Sequence, residues 1–180
     1  RGLFGTKLVM IGERLLPAMP KVCKLYSNDP HFEQNLEALW QAGWKPMVWN
    51  AELPHLERLV VLAGDRPLHL RHAISPAMLG VMRRATRATV QTSPHFMLAL
   101  DEAHKKTLTV LPPLLDNAAA QQMAASFLDG VDMVASDHVA PHWQGAPISP
   151  GLQTQQHFLP ALLTLAEQQG WPLGPVLQKA

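Results

Sequence analysis

The sequence predicts an α/β fold built on a parallel sheet, and three observations predict it. Short apolar runs rich in Val, Leu and Ile alternate with longer stretches of helical periodicity. Strands that alternate with helices form βαβ units, and hence a parallel sheet covered by helices. The 16 prolines are too many for a helical bundle and sit mostly at joints between the two kinds of segment. In chain order, the expected strands are Thr6–Ile11, Lys21–Tyr26, Pro46–Trp49, Leu68–Leu70, Ala88–Gln91 and Val131–Ser136. The expected helices are Phe32–Ala42, Ser75–Arg84, Asn117–Leu128 and Gln155–Gln169. Gly130, Gly170 and the proline joints at Pro112–Pro113 and Pro147–Pro150 punctuate them.

Composition narrows the function. The chain has 180 residues, 47% of them hydrophobic, enough for a sizeable core in one domain. Fifteen Lys and Arg balance 14 Asp and Glu without a long run of either sign, so no nucleic-acid footprint is visible. No apolar run approaches the ~20 residues that span a bilayer. The opening stretch, RGLFGTKLVMIGERLL, lacks the ordered regions of a secretory signal. A single cysteine, Cys23, rules out an internal disulfide and fits a reducing compartment, so a cytoplasmic protein is expected.

Polar residues cluster at one kind of place. Lys24, Asn50, His72, Thr92–Ser93 and Asp137 each fall at or just after the end of an apolar run, the edge at which open α/β sheets and α/β barrels build their sites. Asp137 ends VDMVAS and is followed by His138, Pro141 and His142. A carboxylate with imidazoles nearby holds a metal or takes a proton from metal-bound water; alone, an Asp-His pair is more often a cap or a solvated loop. In LHLRH, His69 and His72 face opposite sides of a strand, which leaves His72 as the ligand candidate and His69 packed between sheet and helix. Lys24 in VCKLYS lies within an apolar run, where desolvation disfavours an ammonium; a neutral amine reacts with carbon dioxide to give an anionic, metal-bridging carbamate. An ordinary lysine snorkelling from the strand end is the plainer alternative. His31, His55, His104 and His157 read as surface residues, and Trp40, Trp44 and Trp49 as packing. There is no phosphate loop, CxxC pair or nucleophile elbow.

Seven stretches, in order, resemble the dihydroorotase branch of the amidohydrolase superfamily. They are KLYSND at 24–29, PMVWNAE at 46–52, LHLRHAISPA at 68–77, ATVQTSPHFML at 88–98, LPPLLDNAAAQQM at 111–123, DGVDMVASDHVAPH at 129–142 and PGLQTQQHFLPALLTL at 150–165. The family's forms are KLY, P-V-HAE, H-CH-S, T-E-TPHH, NPPLR, D-IA-TDHAPH and PGLET-LPLLLT. The DHAPH-like segment with PGL-T downstream is the most specific part.

This resemblance implies a (β/α)8 TIM barrel with one or two zinc ions at the strand ends. It implies carboxylated Lys24 as the bridging ligand, His72 and Asp137 as further metal ligands, Asp137 as general base and acid, and His142 as a binder of the substrate carboxylate. Zinc-activated hydroxide would then interconvert dihydroorotate and N-carbamoyl-L-aspartate in pyrimidine biosynthesis. Expected partners are a small-molecule substrate and either further copies of the chain or another pyrimidine-pathway subunit such as aspartate transcarbamoylase; neither nucleic acid nor membrane is expected.

Departures from the pattern matter equally. Asn50 stands where the family has the histidine of HAE, and an amide is a poor zinc ligand. The HxH pair and the arginine after it are absent upstream of Lys24. Leu111 and Leu115 replace the Asn and Arg of NPPLR, Val139 is inserted into the DHAPH-like motif, and Gln153 replaces the PGLET glutamate. Lys7, in GTKLVM, is a second candidate for the bridging lysine; Lys24 is preferred because one helix separates it from the Asn50 strand. Residues 1–180 are thus expected to form a single, incomplete barrel domain supplying roughly strands three to eight. Two other readings stand beside the hydrolase: an inactive scaffold or partner subunit, and an amidohydrolase for another cyclic amide.

Overall fold

The computed structural model describes residues 22–49, 52–139 and 150–180. The expected strand Thr6–Ile11 and residues Lys7, Lys21, Asn50, Pro141 and His142 lie outside the described residues. The chain divides into two compact units: residues 1–71 with 81–90, and residues 72–80 with 91–180.

In the first unit, β1 (Val22–Tyr26), β2 (Lys45–Trp49), β3 (Leu68–Arg71) and the start of β4 (Ala88–Thr92) run parallel in that order. Their registers include Cys23 opposite Pro46, Val48 opposite Leu70 and Leu70 opposite Val90. Alternation along the strands puts Cys23, Leu25 and Val48 in the core. Helix α1 (Phe32–Gln41) packs on β1 and β2 through Leu36 and Leu39, which recur at helical spacing. Helix α2 (Leu53–Ala63) is not among the expected elements, yet Leu56, Leu59, Val60 and Ala63 form one buried face and Pro54 sits at its first turn, where a missing N–H costs nothing. His69 is buried as expected, its Nδ1 2.8 Å from Thr89 Oγ1. Trp40 and its neighbours Trp44 and Trp49 are half-buried, and the Trp40 indole donates to the Pro67 carbonyl.

In the second unit, Gln91 and Thr92 of β4 pair in parallel with β5 (Met133–Val134). The expected strand Val131–Ser136 is reduced to two residues, and on its other edge the Val134 N–H donates to the Lys179 carbonyl. Helix α3 (Pro76–Met82) follows β3, and α4 (Glu102–Lys105) is a single turn capped by Asp101. The expected helix 117–128 is two helices, α5 (Asn117–Ala125) and α6 (Phe127–Gly130). Between them the Ser126 hydroxyl donates back to the Gln122 carbonyl, the local competition that ends helices at serine. Helix α7 (Phe158–Gln169) is preceded by one 3₁₀ turn and closed by Gly170 in the left-handed conformation. It packs on α5, on α8 (Leu173–Gln178) and on the 3₁₀ turn Pro94–Phe96 that follows β4. Leu162, Leu165, Phe127, Met123 and Val176 are its fully buried centre.

Candidate active site

The polar groups of the second unit converge just past the ends of its strands. His72 is the first residue after β3, and Asp137 lies three residues after β5. Each takes a positive φ, 62° and 48°, and they are the non-glycine residues with that property among the described chain. Such backbone costs on the order of 1–3 kcal/mol unless the surroundings enforce it, and it concentrates at functional sites. The two strained residues meet: His72 Nδ1 lies 3.7 Å from Asp137 Oδ2, and His95 Nε2 lies 3.9 Å from the same oxygen.

The surroundings do enforce it. The Ala73 N–H donates to the Gln91 carbonyl and the Thr92 hydroxyl to the Ala73 carbonyl, which fixes the turn after His72. On the other side, the Ala135 N–H donates to Thr92, the Thr154 hydroxyl to the Ser136 carbonyl, and the Val139 N–H to Leu152. Residues 135, 136 and 139 are thus tied down around Asp137. The Phe96 ring meets His72 edge-on, centroids 6.0 Å apart, and lies against His95 at 4.2 Å.

His95 is the residue that sequence reasoning passed over. It sits in the 3₁₀ turn right after β4, inside the stretch TSPHF, where a lone histidine reads as packing. Its position at a strand end was the signal that could have found it. It is 7% exposed, neither ring nitrogen meets a hydrogen-bond partner among the described residues, and burial lowers its pKa to about 4. The imidazole is therefore neutral across the physiological range. Ser93 Oγ, fully buried beside it in sequence, likewise meets no partner. His95 also lines a cavity of about 290 Å³.

The remaining sequence candidates fall differently. Lys24 is the middle residue of the five in β1, not its end as the sequence suggests; it is half-buried, with Nζ 4.7 Å from the Tyr26 ring centroid. It belongs to the first unit, whereas His72 and Asp137 belong to the second. His138 is exposed, and its Nδ1 accepts from the Gln155 N–H at 3.3 Å. His31, His55, His104 and His157 are on the surface, as expected.

Zinc makes geometric demands that these donors do not meet. Tetrahedral zinc with ligands at ~2.1 Å sets its donors ~3.4 Å apart, and a catalytic site needs three protein ligands. Both separations from Asp137 Oδ2 are longer. Among the described residues, no group of three or more His, Cys, Asp or Glu side chains is disposed to hold a metal ion. The described donors do not fit a zinc centre. What they do make is a carboxylate flanked by two buried imidazoles, an acid–base arrangement.

Comparison with known proteins agrees with this architecture. No family model matches the chain. It is 32% identical over 112 residues to a dihydroorotase of Citrifermentans bemidjiense, a match covering 57% of this chain and 26% of that protein. Against a dihydroorotase of Pelobacter propionicus, identity is 27% over 143 residues, or 71% of this chain and 34% of the relative. The chain thus spans about a quarter to a third of the length of these curated relatives. Among solved structures, a D-hydantoinase superposes with a TM-score of 0.74 at 14% identity, over 88% of this chain and 48% of the other. A dihydroorotase of Campylobacter jejuni superposes at 0.64 and 18% identity, over 87% and 54%. Ordered motifs, parallel α/β architecture and these matches agree: the chain is similar in sequence to dihydroorotases and folds as part of a TIM barrel.

Proposed function

We propose that the chain serves dihydroorotase-type hydrolysis of a cyclic amide, with Asp137 as the acid–base group. The convergence of Asp137 with His72 and His95, the first two on positive-φ backbone and the third on the 3₁₀ turn after β4, is the observation that carries this reading. In the reaction, water adds to the ring carbonyl carbon while the Asp137 carboxylate takes its proton. The ring C–N bond then breaks as the protonated Asp137 returns that proton to the leaving nitrogen. With dihydroorotate this gives N-carbamoyl-L-aspartate, and the reverse closes the ring. His72 Nδ1 and His95 Nε2 flank the carboxylate at 3.7 and 3.9 Å, while the backbone bonds on either side of Asp137 keep its position fixed. Positioned proton transfer of this kind contributes ~10²–10⁴-fold to rate. The zinc implied by the resemblance would need at least one ligand beyond the described donors, so no step is assigned to it.

A second reading has its own observation. The lack of a three-donor metal group among the described residues, with Asn50 in the sequence where a ligand histidine is the rule, supports a non-catalytic dihydroorotase-like subunit partnering another pyrimidine-pathway enzyme. Turnover separates the two. The chain is assayed for ring opening of dihydroorotate and closure of carbamoyl aspartate, with and without added zinc. The hydrolase reading expects turnover that drops at least ~100-fold in Asp137→Asn with the melting temperature kept. Absence of turnover under every metal condition leaves the subunit reading.

A further inference from the structure

A cavity of about 340 Å³ opens in the first unit between α1 and α2, on the side where β1 ends. Open α/β sheets seat ligands in crevices at that edge. Its floor is apolar: Leu59 is fully buried, Phe32 nearly so, and Leu62 is half-buried. Its charged groups are of both signs. The Arg58 guanidinium pairs with the Glu33 carboxylate across the two helices, and Asp29 adds a second carboxylate. The loop that carries Asp29 is held in place. The His31 N–H donates to Asp29 Oδ1 at 2.7 Å, the Phe32 N–H to the Asp29 carbonyl at 3.0 Å, and the Ser27 N–H to the Trp49 carbonyl at 3.2 Å. Ser27, Gln34 and His55 supply further hydrogen-bonding groups to the walls.

This arrangement selects among ligands. The volume lies at the small end of ligand sites, which run from ~300 to ~1,000 Å³. A simple anion meets two carboxylates for one guanidinium, and a simple cation meets Arg58. A metal ion lacks donors, since among the described residues no group of three or more His, Cys, Asp or Glu side chains is disposed to hold one. A zwitterion escapes both repulsions. Laid head to tail against the Glu33–Arg58 pair, an ammonium and a carboxylate on one carbon each face the opposite charge. The planar fork of the guanidinium suits the ligand carboxylate, and Glu33 with Asp29 suits the ammonium. The existing pair yields readily, because side chains 71% and 46% exposed form a weak ion pair. The floor of Phe32, Leu59 and Leu62 then takes an apolar side group out of water.

We propose that this cavity binds a free α-amino acid with an apolar side chain. Arg58 takes its carboxylate, Glu33 and Asp29 take its ammonium, and the apolar floor takes the side chain. The cavity belongs to the first unit and His72, His95 and Asp137 to the second, so the proposal does not rest on the hydrolase reading.

L-Leucine and three compounds that each lack one part of it test the assignment. 4-Methylpentanoate has no ammonium, 3-methylbutylamine no carboxylate, and glycine no side chain. Binding of each to the full chain is measured by titration calorimetry at neutral pH. L-Leucine is expected to bind at least ~10-fold more tightly than any of the three. In Arg58→Gln, L-leucine should fall to the level of 3-methylbutylamine, whose own affinity does not drop. In Glu33→Gln, L-leucine should weaken while 4-methylpentanoate does not. Both side chains are exposed, so the melting temperatures of the variants should stay near wild type. Three results overturn the proposal: no L-leucine binding at ~10 mM, L-leucine no tighter than one of the three compounds, or a preference that both variants leave intact. The wild-type comparison decides even if a variant fails to fold. None of these readouts depends on turnover, so the fate of the hydrolase reading does not change them.

Discussion

At the scale of single residues, the backbone of Asp137 says more than its side chain. Its φ of 48° lies in the left-handed region, which Asp and Asn tolerate and β-branched residues do not. The fold must supply the difference, and it does so with the bonds from Ala135, Ser136 and Val139 on either side. Three substitutions at this position should therefore separate chemistry from conformation. Asp137→Asn keeps both shape and backbone preference, and its melting temperature should stay close to wild type. Asp137→Gly removes the strain and should be neutral or slightly stabilising. Asp137→Val should cost about 1–3 kcal/mol. All three lose the carboxylate, so thermal denaturation orders them by backbone alone; a Val variant as stable as Gly would mean that φ at this position is free to relax. Asp137 and His72 were legible in the sequence because each follows an apolar run. The strain and the company of His95 were not, since φ and the meeting of residues 72, 95 and 137 are set by tertiary structure.

At the scale of elements, the pairing of His138 and Val139 with Leu152 depends on one glycine. His138 and Leu152 form an isolated parallel bridge, and the Val139 N–H donates to the Leu152 carbonyl. Gly151 passes so close beneath that a Cβ there would sit 2.3 Å from Val139 Cγ2, at a φ of 154° that L residues rarely adopt. The glycine of PGL and the valine inserted into the DHAPH-like motif are thus one packing unit. Gly151→Ala should lower stability by about 1–3 kcal/mol and, because this contact anchors the segment after Asp137, reduce any turnover with it. Val139→Gly in the same chain should recover part of the stability, as it removes the colliding atoms; no recovery would put the cost in the backbone of residue 151 alone. The elements themselves were mostly readable from periodicity. β1, β2, β3, β4, α1, α3 and α7 fall within a few residues of expectation, because apolar spacing and the flanking Gly and Pro decide them. Helix α2 was readable too, from Leu56, Leu59, Val60 and Ala63, but its run follows a strand so closely that the stretch passes for loop. β5 was overread: Val131–Ser136 looks like a strand by its apolar pattern, but only Met133 and Val134 pair with β4.

At the scale of the whole molecule, the parallel sheet, the motif order and the barrel likeness agree, while the donors among the described residues do not assemble a metal centre. A shared fold carries the frame of a site without carrying its occupants. Five parallel strands with helices between them need only apolar periodicity, and the chain has kept that throughout. A metal centre needs particular donors at separations good to a few tenths of an ångström, which is lost with far fewer substitutions. Here the described donors around Asp137 stand 3.7 and 3.9 Å from its oxygen, and the motif resemblance sets Asn50 against the family's ligand histidine. Loss of supporting groups alone costs ~10–100-fold in metal affinity, and loss of ligands costs more. The chain purified without chelators should accordingly hold substoichiometric zinc, and what it holds should exchange out during gel filtration in metal-free buffer. Elemental analysis per chain before and after that step measures it. One or more zinc ions that survive the exchange in wild type but not in Asp137→Ala or Lys24→Ala would mean that the donors close around the metal when it binds, and the acid–base carboxylate would then be a ligand as well. Retention in both variants would place the metal elsewhere on the chain. Loss of zinc with turnover intact would assign the chemistry to Asp137 and its two imidazoles.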